Sequence, residues 1–242
     1  MQALYPEAKV ILLGEFGVGK TSIFRRYSLG TFIDTSGMDW SQYREFTLGL
    51  DNYCKNFECT TSTNETKTIS LRLYDTGGLE RIGSIGNSYY KSAEAALLVF
   101  ARNNIDSFNC LTQHLLEVLS FGENAKLYLV SNKVDIDDQE VSSEDIRTFM
   151  EQFPIIEGHF EVSCKTNQPS VDEMFCTIAH KLVISTTNRL NRQLDCIKLH
   201  APAHSGGNGS GYYNEDGPSY EYQYERNATD LYKSNGSCSS CN

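Results

Sequence analysis

Short apolar runs, each closed by a polar or glycine-rich break, set the rhythm of this chain. Ala8 to Leu13 (A-K-V-I-L-L) is rich in branched residues, holds no turn residue and predicts a strand. Ile23, Phe24 and Tyr27 follow at helical spacing over Thr21–Leu29. Asp51–Cys59 and Thr66–Asp75 predict two strands joined by a polar hairpin, Thr-Thr-Ser-Thr-Asn-Glu. Glu94–Ala101 (E-A-A-L-L-V-F-A) is an unbroken apolar strand, and further strands end at Asn132 and just before Ser163. Asp106 predicts the cap of a helix with Phe108, Leu111, Leu115 and Leu119 on one face, ended by Gly122. Ser142–Phe153 predicts a shorter, more exposed helix. Ser170 and Glu173 form a capping box for a last helix that buries Met174, Ile178 and Leu182 and frays near Thr187. Strands alternating with helices after the first hundred residues predict an α/β fold, a largely parallel sheet covered on both faces.

Beyond about Ala201 the pattern stops. Gly, Ser and Tyr dominate, and no apolar periodicity remains to offset the entropy of ordering the chain. Two regions are therefore expected: a folded domain over residues 1–187 and a largely disordered tail over 188–242.

Composition narrows the picture. The chain has 242 residues, 40% of them hydrophobic, which suffices for one packed domain and an extension. A net charge of −10 argues against nucleic-acid binding, which wants a basic face. No stretch approaches a membrane-spanning length, and Met1-Gln2-Ala3 leads at once into a polar segment and a core strand rather than a signal peptide. A cytosolic or cytosol-facing protein is expected. Eight cysteines at irregular spacing do not suggest a disulfide framework there. Cys110 and Cys176, on predicted helices, are expected to behave as small buried hydrophobes.

Candidate chemistry begins at Gly14-Glu15-Phe16-Gly17-Val18-Gly19-Lys20-Thr21, a complete G-x-x-x-x-G-K-T loop between a strand and a helix. The glycines let backbone N–H groups turn inward around a phosphate chain. Lys20 adds a point charge, Thr21 offers a hydroxyl to Mg²⁺, Ser22 follows it, and the helix N-terminus adds its dipole. Asn132-Lys133-Val134-Asp135 then specifies a base. A carboxylate accepts two parallel N–H bonds, which guanine offers from N1 and its 2-amino group and adenine does not. Ser163-Cys164-Lys165 closes a third strand with a small polar turn able to offer a backbone N–H to the guanine oxygen.

These motifs, with Thr47-Leu48-Gly49-Leu50 and Asp75-Thr76-Gly77-Gly78-Leu79-Glu80-Arg81, resemble the Ras superfamily of small GTPases over roughly residues 6–185. Tyr89-Tyr90-Lys91-Ser92-Ala93 looks like the Tyr-Tyr-x-x-Ala signature of its Rab branch. The resemblance implies a P-loop fold with a mixed, mostly parallel six-stranded sheet. It implies a monomeric switch that binds GTP or GDP with Mg²⁺ and recruits effector proteins in vesicle traffic. It also implies an exchange factor, an activating protein and attachment to the cytosolic face of intracellular membranes. Carried over residue by residue, Lys20, Thr47, Gly78 and position 79 would serve catalysis. Thr21, Thr47 and Asp75 would serve the metal, with Thr35 as the alternative switch threonine. Phe32 matches the aromatic that covers guanine, or it simply packs.

Departures from the pattern matter as much. Leu79 stands where the family usually places a glutamine that orients the attacking water, and a leucine can neither donate nor accept. Phe16 replaces a small residue and would crowd an incoming arginine finger. Slow hydrolysis with retained binding is expected, and the alternative is a constitutively GTP-loaded adaptor with negligible turnover. Met38, Trp40 and Tyr43 lie in a first switch longer than the family norm, as a partner surface or as packing. Cys238-Ser-Ser-Cys241-Asn242 is an irregular version of a prenylated ending, and lipidation of Cys238 and Cys241 is the expectation. A metal or redox role for that C-x-x-C is the other reading, and His200 with His204 is a chance pair or, alternatively, a metal site. From Ala201 onward five acidic residues face two basic ones, so no polybasic membrane contact is expected.

Overall fold

The computed structural model describes residues 5–34, 51–60, 64–75, 86–122 and 124–199, with the side chains of the last helix described as far as residue 185. Among them, six strands form one sheet: β1 (Glu7–Leu13), β2 (Asp51–Thr60), β3 (Thr66–Asp75), β4 (Ala93–Ala101), β5 (Lys126–Asn132) and β6 (Ile156–Glu161). Their order is β2-β3-β1-β4-β5-β6. The β2–β3 hairpin is antiparallel, from Asp51 opposite Asp75 to Thr60 opposite Thr66. The other neighbouring pairs are parallel. The helices are α1 (Lys20–Leu29), α2 (Ile105–Asn109), α3 (Leu111–Phe121), α4 (Ser143–Gln152) and α5 (Val171–Leu199).

The central strands read as continuous apolar runs because both of their faces are buried. Val10, Leu12, Leu97 and Val99 pack under Ile23 and Tyr27 of α1 and under Phe175 and Ile178 of α5. Their alternate neighbours Ile11, Leu13, Leu98 and Phe100 pack under Leu111 and Leu115 of α3 and Ile146 and Phe149 of α4. Parallel strands all point their C-terminal ends the same way, so the loops after β1, β4, β5 and β6 gather at one edge.

One wedge opens that edge. The β1–β3 ladder runs as far as Ile11 opposite Tyr74. Beyond it the buried Tyr89 hydroxyl accepts from the Leu12 N–H at 3.2 Å and lies 3.0 Å from the Leu12 carbonyl and 3.2 Å from that of Tyr74. A side chain thus meets backbone groups that a neighbouring strand would otherwise pair. β1 is free to run on into the glycine-rich loop while β3 delivers Asp75.

Four expectations need correction. The helix expected to be capped by Asp106 starts two residues earlier, at Ile105, capped by Asn104, whose Oδ1 accepts from the Ser107 N–H at 2.9 Å. It breaks at Cys110 and restarts as α3. Leu119 is 49% exposed, and Val118 takes its place in the buried stripe with Leu111, His114 and Leu115. At about 100° per residue, position 119 sits some 80° round the helix from Leu111, whereas 118 sits almost in line. Cys110 is half-buried at the break and Cys176 is exposed, so neither is a buried hydrophobe. The last helix does not end near Thr187 but continues to Leu199. A complete capping box lies at Ser142 and Asp145, where no glutamate or glutamine advertises it.

Among the described residues no helix is long and apolar enough to cross a membrane, and no cluster of three His, Cys, Asp or Glu could hold a metal. Thr35, Met38, Trp40, Tyr43, Thr47, Gly78, Leu79, His200, His204, Cys238 and Cys241 lie outside the described residues.

Candidate nucleotide site

The phosphate end is built almost wholly from backbone. Gly14 leaves β1 at φ 139°, where a Cβ would lie 2.0 Å from the Val99 carbonyl oxygen of β4. Only a glycine lets the loop run this close to the neighbouring strand. Gly19 caps α1 in the left-handed region, and its first turn carries neither an acidic residue nor a side-chain cap. The N–H donors of that turn are therefore not claimed by a side-chain cap, and they form a site for an anion. Lys20, almost fully buried, folds back so that Nζ donates to the carbonyls of Gly14 at 2.7 Å and Glu15 at 2.9 Å. Gly17 turns at φ 82°, and Val18 packs into the core. Phe16 stands 44% exposed on the loop's outer side. Beneath the loop, the Glu15 carboxylate lies 3.2 Å from His114 Nε2 of α3, a contact the sequence reading missed.

The metal end follows directly. The Thr21 hydroxyl donates to Asp75 Oδ2 at 2.7 Å, and Asp75 is buried at the end of β3. A hydroxyl and a carboxylate beside a phosphate-type loop make an all-oxygen set that fits Mg²⁺, a hard cation bound through few protein ligands.

The base end is built from side chains. Asn132, at the tip of β5, donates through Nδ2 to the Val18 carbonyl at 2.8 Å and accepts at Oδ1 from the Cys164 N–H at 3.4 Å. It ties the glycine-rich loop to both base-binding loops. Its approach requires Gly19, since a Cβ there would come within 2.2 Å of Nδ2. Ser163 donates to Asp135 Oδ1 at 2.7 Å and accepts from the Thr166 N–H at 3.0 Å, so the carboxylate is oriented before any ligand arrives. Lys133 sits at φ 63°, and burial pulls its ammonium below the usual lysine value while Asp135 pulls the other way. Burial pushes the Cys164 thiol up to about 12, which leaves it neutral and unreactive.

Arg26 of α1 closes this end. Its Nε donates to the Cys164 carbonyl at 2.6 Å, one Nη to Lys165 O at 3.0 Å and the other to Gly30 O at 2.9 Å. The guanidinium carbon lies 5.9 Å from the Phe32 ring centre, and Phe32 packs against the core. Sequence reasoning overlooked Arg26 because a basic residue in a last helical turn reads as a solvated cap.

A single Ras family model matches residues 9–184. Ras-related protein Rab-30 of Homo sapiens is 33% identical over 177 residues, covering 72% of this chain and 79% of that protein. Ras-related protein Rab-1D of Dictyostelium discoideum is 33% identical over 176 residues, covering 72% and 78%. Ras-related protein Rab-5A of the same organism is 32% identical over 183 residues, covering 75% and 83%. With its six-stranded sheet, its glycine-rich loop and its paired loops after β5 and β6, this chain belongs to the Ras family of small GTPases, on the Rab-like side of it.

Proposed function

We propose that the protein is a guanine-nucleotide switch of the Rab kind, which recruits effectors to intracellular membranes when loaded with GTP and hydrolyses that GTP slowly. The observation that carries the reading is Asp135, held by Ser163 at 2.7 Å beside an Asn132 that is itself tied to the glycine-rich loop. A carboxylate fixed in this way selects a base with two adjacent N–H donors. Gly14 to Thr21, with Ser22 behind them, hold the phosphates. Mg²⁺, held by Thr21 and Asp75 and by Thr47 from the first switch, would neutralise phosphate charge. Lys20 would stabilise charge on the phosphates, and the Gly78 backbone would partner the terminal phosphate. Phe32 covers the base from the Arg26 side.

A second reading, a GTP-loaded adaptor that scarcely turns over, is favoured by the exposed Phe16 ring on the phosphate loop and by Leu79. Lipids on Cys238 and Cys241 supply the membrane attachment in either case, since two chains anchor durably where one does not.

One experiment tests the core of this. Protein purified from cells is assayed for bound nucleotide, then for single-turnover hydrolysis of GTP in wild type and Leu79→Gln. Bound GTP or GDP with slow turnover, faster in Leu79→Gln, is the expected result. Bound adenine nucleotide, or equal affinity for ATP and GTP, would overturn the guanine assignment. Wild-type turnover as fast as that of Leu79→Gln would show that Leu79 is not the limiting residue and would take from the adaptor reading its main support.

A further inference from the structure

Behind the guanine loop lies a charged side chain that the nucleotide site does not use. Arg102 follows β4 directly, and its side chain is only 8% exposed. A buried guanidinium must be hydrogen-bonded to be tolerated. Here Nε and one Nη converge on Gln139 Oε1 at 3.2 and 2.8 Å, and the other Nη reaches Glu161 Oε1 at 3.0 Å. The Gln139 amide continues the chain by donating to the Val134 carbonyl at 3.3 Å, one residue before Asp135. The Arg102 backbone grips the same segment: its N–H donates to Asn132 O at 3.0 Å, and its carbonyl accepts from Glu140 and Val141 at 2.9 and 3.1 Å. Glu140 in turn accepts from the Ile105 N–H at 2.8 Å, which pins the far end of the loop to α2.

We infer that Arg102, acting through Gln139, is a positioning residue that sets the Val134–Asp135 peptide and so the discrimination for guanine at Asp135; the inference rests on the guanine-binding reading. Stability alone is a poor account of the arrangement. Glu161 is 47% exposed, and an ion pair with a partly solvated carboxylate contributes little. What the guanidinium provides is direction, because its planar fork fixes the Gln139 amide toward one carbonyl. The segment from Asn132 to Val141 is otherwise a loop of short turns whose residues from Asp137 to Glu140 are exposed. Without the relay, Asp135 would keep its Ser163 contact and Val134 its N–H bond to the Val162 carbonyl at 3.5 Å, while the Val134 carbonyl lost the donor that orients it.

The test compares GDP with IDP, whose base lacks the 2-amino group and so gives Asp135 one donor instead of two. Gln139→Glu keeps an oxygen for Arg102 but loses the N–H that reaches Val134, and its exposed position makes misfolding no concern. Arg102→Met removes the relay at its source. Affinities for GDP and IDP are measured by competition, with the melting temperature of each nucleotide-free protein alongside. The GDP-to-IDP affinity ratio is expected to fall about three- to tenfold in both variants, with the Gln139→Glu melting temperature unchanged. A purely structural Arg102 would lower melting in Arg102→Met and leave the ratio intact in Gln139→Glu, which would overturn the inference. Should Arg102→Met fail to fold, Gln139→Glu decides alone. A wild type that discriminates GDP from IDP while Gln139→Glu discriminates equally well overturns this inference only. A wild type that does not discriminate overturns the guanine reading as well.

Discussion

The two ends of the candidate site are made by different means. At the phosphate end, residues 14–21 form a contiguous run in which glycine backbone, a helix N-terminus and one lysine make up the proposed site. At the base end, the proposed base ligand Asp135 is held by Ser163, and the loops around it are joined by side chains as far apart in sequence as Arg26 and Gln139. A phosphate presents the same charge from every direction, so a backbone nest suffices for it. A base must be told from its analogues, and that takes an oriented carboxylate with supports of its own.

The phosphate end should therefore fail abruptly when its single charge is removed. Lys20→Ala deletes a cation placed for charge-assisted hydrogen bonds, each worth ~1.5–3 kcal/mol. Two such bonds lost correspond to roughly a 10²–10⁴-fold weaker affinity for GTP and GDP alike, read by calorimetry. A loss confined to one nucleotide would contradict the division between the ends.

The base end should fail selectively. Asp135→Asn replaces an acceptor by a group that also donates, so GDP affinity should fall about 100-fold while xanthosine diphosphate gains. Xanthine carries an oxygen where guanine carries the amine, and an amide N–H can meet it. Fluorescent-nucleotide competition gives both affinities, and an unchanged preference would remove Asp135 from base recognition.

How legible each end is in the sequence follows from the same contrast. Gly14 to Thr21 can be read from spacing because the proposed phosphate-binding groups follow one another in a single stretch of chain. The six-stranded sheet is equally legible, since buried parallel strands are nearly uninterrupted apolar runs. Arg102 gives only a faint signal, a lone cation closing the run E-A-A-L-L-V-F-A. Its partners Gln139 and Glu161 are distant in sequence and ordinary on a surface. Leu119 misled because a spacing of four overshoots a helical turn by enough, after two steps, to leave the buried stripe.

Between the ends lies the contact that joins them, and breaking it should cost less than breaking either. Gly19→Ala drives a Cβ to 2.2 Å from Asn132 Nδ2, which displaces the bond to the Val18 carbonyl. Asn132→Ala removes the same bond from the other side. Each substitution should weaken GDP binding about tenfold or more, with Asn132→Ala the poorer because it also loses the bond from the Cys164 N–H, and the double variant should be little worse than Asn132→Ala, because the bond to the Val18 carbonyl is lost in both. Fully additive losses in a double-mutant cycle would mean that the loops are held independently.

The smallest effect concerns the support of Asn132 from below. The Ser131 hydroxyl is buried one residue before Asn132 and lies 2.6 Å from His159 Nε2 of β6. Burial holds the His159 pKa below the ordinary histidine value of 6.5, with Arg102 pushing the same way and Glu161 opposing. A lowered histidine pKa means that the folded protein resists a proton which the unfolded chain accepts. The stabilisation is therefore complete above the ordinary value and declines as pH falls through the window between that value and the folded one. Protonation would also leave Nε2 a donor, so the Ser131 hydroxyl could no longer donate to it. His159→Gln keeps an acceptor for Ser131 and removes the titration. Wild-type stability to denaturant should drop between pH 7.5 and 5.5, and the His159→Gln profile should be flatter over the same interval. Superimposable profiles would show that the strand beneath this loop is insensitive to the His159 proton.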